Sequence, residues 1–299
     1  MSLDTSLMEA AAIDGCTYLK RIKYIIMSLN IDREFFEITV SSAREASGRV
    51  FEAVQGYLTE ATKETKEFLG VELFEFLDGE RFQDEPDFVI AEYVKQYICF
   101  RAYEIAIPHL DLVLTPTGFG IVSNQNLTPA SAERVNRLIH AIKDMKEMCM
   151  DNIIYSLRGH ELWCDTPYAI ISFSTLLWHS SQLIRYGVAN PTRAKLREAR
   201  PKITQSESRL KELISPEFHK ELCDSVRCKT STPLQESAIT LCLNLIAHPD
   251  STMIHRKALL QFLHAHLEDF QTYANSTAYQ ANNFKSYENA VNDSCYFFG

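Results

Sequence analysis

Between Ile38 and Leu69, apolar residues recur at intervals of three and four, and this period constrains the fold more than any other feature. Val50, Val54, Leu58 and Ala61 fall on one side of a helix, while charged residues occupy the other side. Such a pattern is typical of an amphipathic helix that buries one face. The sequence therefore predicts one long helix over 38–69, which Gly70 interrupts.

The same period continues through most of the chain, so a mostly α fold is predicted. Proline and capping residues suggest the helix ends: Pro108 ends or kinks one helix, while Thr128 caps the next with Pro129 at its first position. Further helices are predicted over 71–77, 87–107, 128–157, 167–186, 191–213, 216–222, 233–247 and 251–273.

A self-comparison indicates an internal repeat. The segment KEFLGVELFEFL at 66–77 aligns with KELISPEFHKEL at 211–222, so that Gly70 and Ser215 both separate a long helix from a short one. The following helices align at the same offset. Either the chain contains a duplication, or two amphipathic helices match by chance. The duplication predicts a helical bundle of two similar halves.

Four regions follow from this alignment. We predict an N-terminal arm over 1–30, a helical half over 31–158, a second helical half over 159–285 and an aromatic C-terminal tail over 286–299. The first half carries a segment that the second half lacks, and the boundary between the halves falls near 158–166.

That additional segment, LVLTPTGFGIVSNQ, contains the only convincing strand signal. Its residues alternate on either side of a turn predicted at Pro116, Thr117 and Gly118, so a β-hairpin is expected near 111–124. The glycines lack the spacing and the following Lys of a phosphate-binding loop, and no dinucleotide fingerprint is present. No cofactor is therefore predicted. The candidate interaction residues of the hairpin are Leu112, Leu114, Thr117, Phe119 and Ile121.

The eight cysteines are scattered through apolar helical segments, which favours free buried thiols over disulfides. His219 and Cys223 lie four residues apart, with Cys228 beyond them, and form the best metal constellation available. Without a CxxC pair or a second helical pair, a core thiol beside a surface histidine is the preferred interpretation. No metal site and no catalytic residue are predicted.

The charge and the N-terminal sequence limit the possible partners. A formal net charge of -9 disfavours a long surface that follows nucleic-acid phosphates. The first residues carry acids where a signal peptide would carry cations, and the apolar run 22–29 is too short for a bilayer. A protein of the cytoplasm of the host cell is predicted, with no membrane partner.

Tyr296, Phe297 and Phe298 follow a polar stretch and precede the final Gly299. Aromatic side chains are unfavourable in water, so these residues are expected to dock on their own chain or on a neighbour. Both alternatives are open at this point.

Several segments together resemble a known family: AIPHLDLVLTPTGFGIVSNQNLTPASAERV, EFLGVELFEFL, LKELISPEFHKEL and YENAVNDSCYFFG. They are similar to a domain-of-unknown-function family of Bacteroides-group genomes and prophages. The helix–Gly–short-helix pattern at Gly70 also resembles head-tail connector proteins of tailed phages, which assemble into rings. The resemblance implies an assembly role and supplies no catalytic residue.

Two functions are therefore expected. The first is a non-enzymatic structural or assembly protein of phage or prophage origin that is connector-like and oligomeric. Its expected partners are other copies of the chain or phage structural proteins. Such a protein would also be virion-associated. The alternative is a helical enzyme or ligand-binding protein with a site in the groove between the halves, around His160, Trp163 and Cys164.

Overall fold

We describe the protein from a computed structural model, which covers residues 29–41, 49–79, 85–110, 112–115, 118–121, 131–248 and 252–283. These residues are mostly helical, which confirms the all-α class. The chain divides into two compact units: unit 1 comprises 1–171 and 192–196, and unit 2 comprises 172–191 and 197–299. None of the described helices is long and apolar enough to cross a bilayer.

Unit 1 is built around three helices that pack side by side, α2, α4 and α5. Val54 and Ala61 on α2, together with Ile98 on α4, are fully buried in its core. The helices of this part of the chain are α1 (Arg33–Thr39), α2 (Arg49–Leu69), α3 (Val71–Asp78), α4 (Glu85–Leu110), α5 (Ala132–Ser156) and α6 (Pro167–Ser172).

Unit 2 packs its helices around an aromatic core in which the Phe218 ring lies 5.3 Å from that of Phe270 and 5.8 Å from that of Tyr273. A 3-10 helix spans Ser180–Tyr186. The α-helices that follow it along the chain are α7 (Arg193–Ile214), α8 (Pro216–Arg227), α9 (Pro233–Ala247), α10 (Thr252–Ala265), α11 (Gln271–Ala274) and α12 (Thr277–Asn282).

Two strands lie between α4 and α5: β1 (Leu112–Thr115) and β2 (Gly118–Ile121) pair antiparallel as a two-stranded sheet. The predicted turn is wrong in one respect. Gly118 was placed in the turn, but it pairs with Thr115 as the first residue of β2, so only two residues connect the strands.

Three predicted boundaries in the first part of the chain are wrong. The helix expected over 38–69 is not continuous, because α1 ends at Thr39 and α2 begins at Arg49. Pro108 lies inside α4, which continues to Leu110, three residues beyond the predicted end. The cap of α5 is Ser131 rather than Thr128.

Two helices predicted in the second part are also shorter than expected. The segment 167–186 contains α6 and the 3-10 helix instead of one helix, because the backbone between them bonds to a buried carboxylate described below. The helix expected over 251–273 ends at Ala265, where the chain turns and buries Phe270. By contrast, α9 has the predicted bounds, and α8 extends beyond Leu222 to Arg227.

Gly70 and Ser215, the two positions matched in the self-comparison, adopt the same unusual backbone conformation. Gly70 has φ 84° and ψ 154°, and Ser215 has φ 79° and ψ 148°. Each residue follows a long helix and is the N-cap of a short one, α3 or α8. This region is essentially restricted to glycine, because a Cβ strains the backbone there. Ser215 offsets part of that strain because its Oγ accepts a hydrogen bond from the Phe218 N–H.

Exchanging these residues has opposite expected effects. Gly70→Ser is expected to lower the free energy of unfolding by about 1–3 kcal/mol, and Ser215→Gly to raise it by about 1 kcal/mol. A Cβ at Gly70 would meet the Thr166 Cγ2 atom at 3.5 Å, an ordinary contact, so the loss comes from the backbone. Urea denaturation of each variant measures both changes. Equal stability of Gly70→Ser and wild type would contradict the strain.

Candidate interaction surface

Helix α5 carries two apolar stripes at helical spacing, and Lys146 interrupts the first of them between Ile142 and Cys149. The first, which we call the inner stripe, packs against α4. Its members Ile142, Cys149 and Ile153 are buried, whereas Val135 and Ile139 are partly exposed. Burial also raises the pKa of the Cys149 thiol to about 12, so this cysteine is a packing residue rather than a thiolate nucleophile.

An ion-pair network fixes the rotation of α5 relative to α2 and α4. Arg101 on α4 bonds Glu64 on α2 through both carboxylate oxygens, at 2.8 and 2.9 Å, and Glu104 at 3.0 Å. Lys146 on α5 donates to the same Glu104 at 2.7 Å. The network joins three helices with part-buried, charge-assisted bonds, so α5 presents one defined face outward.

The pKa values of both carboxylates reflect these bonds. The hydrogen bond from Arg101 lowers the pKa of Glu64. For Glu104, burial alone would raise the pKa, but the bonds from Lys146 and Arg101 outweigh it and the pKa is lowered. Both groups are therefore charged near neutral pH, and the network persists there.

The second stripe of α5 lies beside the buried face and is open to solvent; we call it the outer stripe. Met145, Met148 and Tyr155 are 41%, 49% and 59% exposed. The outer stripe consists of Leu138, Ala141, Met145, Met148, Asn152 and Tyr155. Their positions advance along the chain in steps of three, four, three, four and three, which is the heptad spacing of a coiled-coil seam.

The heptad phase of the outer stripe places Asn152 at an a position. Leu138 and Met145 are the other a residues, and Ala141, Met148 and Tyr155 are the d residues. A single Asn at an a position specifies register in parallel coiled-coil dimers, because it pairs with the same Asn of the partner. Apolar residues in this pattern, with one polar exception, define a surface suited to helix pairing.

The hairpin residues predicted as an interaction site are described only by their backbone. Leu112 lies opposite Ile121, and Leu114 opposite Phe119, so the register brings these four positions together as two cross-strand pairs. Thr117 lies outside the described residues, as do Tyr296, Phe297 and Phe298 of the tail. No interaction surface was predicted at the outer stripe, although its spacing can be read from the sequence.

The residues proposed for an alternative site all lie in unit 1 and make packing contacts. Trp163 is completely buried, and its indole N–H donates to the Phe68 carbonyl at 3.4 Å. The imidazole of His160 lies 3.5 Å from the Asp87 carboxylate. The Cys164 thiol contacts the Glu161 carbonyl at 4.0 Å.

A buried polar cluster in unit 2 accounts for the histidine considered above as a metal ligand. The His219 Nε2 atom lies 2.9 Å from Glu207 Oε2, and Cys223 Sγ lies 3.7 Å from His219 Nδ1. The prediction that His219 is a surface residue is wrong, because it is 2% exposed. Burial raises the pKa of Cys223, which disfavours the thiolate that zinc requires. Within the described ranges, no three His, Cys, Asp or Glu residues form a metal site.

The six described cysteines are free, and four of them are buried, which confirms the prediction for this part of the chain. Cys16 and Cys295 lie outside the described residues.

The described residues form an all-α helical bundle, and α5 exposes one apolar stripe. Residues 56–171 match a domain family of unknown function (DUF6712). The matched range extends from α2 through α5 and ends at Ile171, where the first segment of unit 1 also ends. No curated protein and no solved structure matches the chain.

Proposed function

We propose that this protein is a non-enzymatic assembly protein in which the outer stripe of α5 pairs with the outer stripe of a second copy. The observation that carries the proposal is the exposure of Met145, Met148 and Tyr155 in heptad register on a rigidly held helix. Large apolar side chains that follow one helix face are unfavourable in water, and a second helix removes them from it.

A second copy fits this surface better than an unrelated helix because the stripe is self-complementary. In a parallel, in-register pair, Asn152 meets the same residue of the other copy and both amides are satisfied. Ala141 leaves space for a close approach of the two backbones.

The hairpin supplies a second contact for larger assemblies. Among the described residues its two strands pair only with each other, which leaves both outer edges for β-augmentation by a neighbouring chain. The residues of this contact would be Leu112, Leu114, Thr117, Phe119 and Ile121. Pairs of copies joined through α5 and extended by their hairpins would form a connector-like assembly of phage or prophage origin. Such an assembly would lie in the host cytoplasm or in the virion. The resemblance of the Gly70 region to connectors supports this assignment.

The proposal includes the internal duplication. The identical backbone conformation of Gly70 and Ser215, each between a long and a short helix, supports a common origin of 31–158 and 159–285. A duplicated helical half that gained a hairpin would provide two similar bodies and one new contact.

Light scattering coupled to gel filtration tests the pairing. We expect wild-type protein to elute as a dimer or larger oligomer, and Met145→Glu/Met148→Glu to weaken self-association at least about tenfold, since each copy would place two carboxylates in an apolar interface. Ile184→Glu is the matched control, because Ile184 is equally apolar and 63% exposed but lies in unit 2. Circular dichroism verifies that all variants stay helical.

A wild-type protein that is monomeric at high concentration would contradict self-pairing. A double variant that retains the oligomer of the wild type would show that the interface lies elsewhere.

A further inference from the structure

Helix α10 in unit 2 exposes a second apolar surface. Met253 and Ile254 are 78% and 73% exposed, although Leu259 and Leu263 on the opposite face of the helix are fully buried. The exposed side chains border a surface groove of about 560 Å³, which Lys257, Leu260 and His264 also line. This groove is separate from the outer stripe of α5, which belongs to unit 1.

The charge of α10 differs from that of the chain as a whole. Its residues 252–265 include Arg256, Lys257 and two histidines but no Asp or Glu, whereas the full chain has a formal net charge of -9. The groove is therefore a local site of positive potential beside exposed apolar side chains. A segment that fits it carries aromatic or aliphatic residues together with acids.

The last described helix, α12, lies against α10 beside this groove. The Arg256 guanidinium on α10 donates to the Asn282 side chain at 3.3 Å. Asn282 is in turn anchored to α7, because its amide donates to the Leu213 carbonyl at 2.9 Å. The Tyr279 ring packs 5.3 Å from the ring of His264, which lines the groove. The chain that continues after Asn283 therefore leaves α12 next to α10.

The sequence of residues 284–299 matches the chemistry of the groove. It contains two acids, Glu288 and Asp293, against one cation, Lys285, and Tyr296, Phe297 and Phe298 precede the final Gly299. An extended chain advances about 3.3 Å per residue, so Tyr296 reaches about 40 Å from Asn283. The exposed face from Met253 to His264 is only about 17 Å long at the helical rise of 1.5 Å per residue.

We propose that residues 284–299 fold back on their own chain and occupy the α10 groove, with Tyr296, Phe297 and Phe298 on Met253 and Ile254. The acids of the segment lie near Arg256 and Lys257. Docking in cis needs no loss of translational freedom, because the anchor at Asn282 already holds the segment within reach. The same aromatic residues on a neighbouring copy would lack this advantage.

Hydrogen–deuterium exchange of full-length protein, read by mass spectrometry, tests the contact from both sides. With Tyr296→Ser/Phe297→Ser/Phe298→Ser we expect the amides of 253–264 to exchange about fivefold faster or more, while those of α9 stay unchanged. With Ile254→Lys we expect residues 290–298 to lose protection. Ile184→Lys is the control, because it adds the same charge to a similarly exposed isoleucine of the same unit, 63% against 73% exposed.

Two results would overturn the proposal. Residues 284–299 that exchange like a random coil in wild-type protein would exclude docking. Protection of α10 that rises with protein concentration would assign the groove to a second copy. The exchange assay follows residues of unit 2, so we expect the same exchange rates in Met145→Glu/Met148→Glu as in wild-type protein. A failure of α5 pairing would therefore leave the test of the groove intact.

Discussion

Replacing Glu207 on α7 with Ala is expected to lower the free energy of unfolding by about 3–5 kcal/mol. The side chain of Glu207 is 1% exposed, and each oxygen has a separate task. Oε1 accepts from the backbone N–H of Leu176 at 2.7 Å and of Leu177 at 3.3 Å, and Oε2 contacts His219 at 2.9 Å. Alanine would leave two buried amides and a buried imidazole without this partner.

A graded series separates this effect from a simple loss of volume. Glu207→Gln keeps one acceptor oxygen and the side-chain length, so its loss is expected to be about half as large. Glu212→Ala is the control, because Glu212 is exposed on the same helix and its replacement should stay within about 0.5 kcal/mol of wild type. Urea denaturation followed by circular dichroism measures all three. A Glu207→Ala variant as stable as Glu212→Ala would contradict the structural role of the cluster.

Truncating Trp163 is the second change with a large expected effect. Its ring is completely buried in unit 1, with the Phe68 ring 5.9 Å away and the indole N–H bonded to the Phe68 carbonyl. Trp163→Ala leaves a cavity and removes that bond, so we expect a loss of about 3–5 kcal/mol.

The neighbouring residue provides the control for Trp163. Leu162 is 37% exposed, and Leu162→Ala is expected to cost less than about 1 kcal/mol. Trp163→Phe keeps most of the buried area and should lie between the two. Thermal unfolding monitored by circular dichroism ranks the three variants. Similar losses for Leu162→Ala and Trp163→Ala would show that Trp163 does not hold the core of unit 1.

Local signals were sufficient to predict the helices whose ends are fixed by their own residues. Thr232 caps α9 through a reciprocal pair of hydrogen bonds with Gln235, and Pro233 occupies the first position. Gly70 likewise stops α2 because its positive φ admits few other residues. In both places the residues that decide the structure lie within a few positions of each other.

The segment 172–179 could not be predicted in the same way. Its apolar period suggests a helix, yet Leu176 and Leu177 donate their backbone N–H groups to Glu207, about thirty residues away along the chain. A buried carboxylate that competes for helix hydrogen bonds has no local sequence signal. His219 was assigned to the surface for the same reason, since its partner is also Glu207.

The outer stripe of α5 illustrates a different limit. Both stripes of this helix follow the helical period, each with one polar residue among apolar ones, so the sequence alone does not tell which one packs inward. Arg101, Glu104 and Lys146 determine the choice by joining α4 to α5 on one side. The candidate site was therefore predicted at the hairpin and the tail, where the sequence changes character, and not on the helix.

Photo-crosslinking at position 148 tests the central claim most directly. Full-length protein with benzoylphenylalanine in place of Met148 is mixed from isotopically light and heavy preparations, and the crosslinked peptides are identified by mass spectrometry. Pairing of the outer stripes predicts light–heavy crosslinks from position 148 to residues 145–152 of the other copy. Crosslinks confined to one copy, or light–heavy crosslinks only to surfaces other than α5, would contradict it.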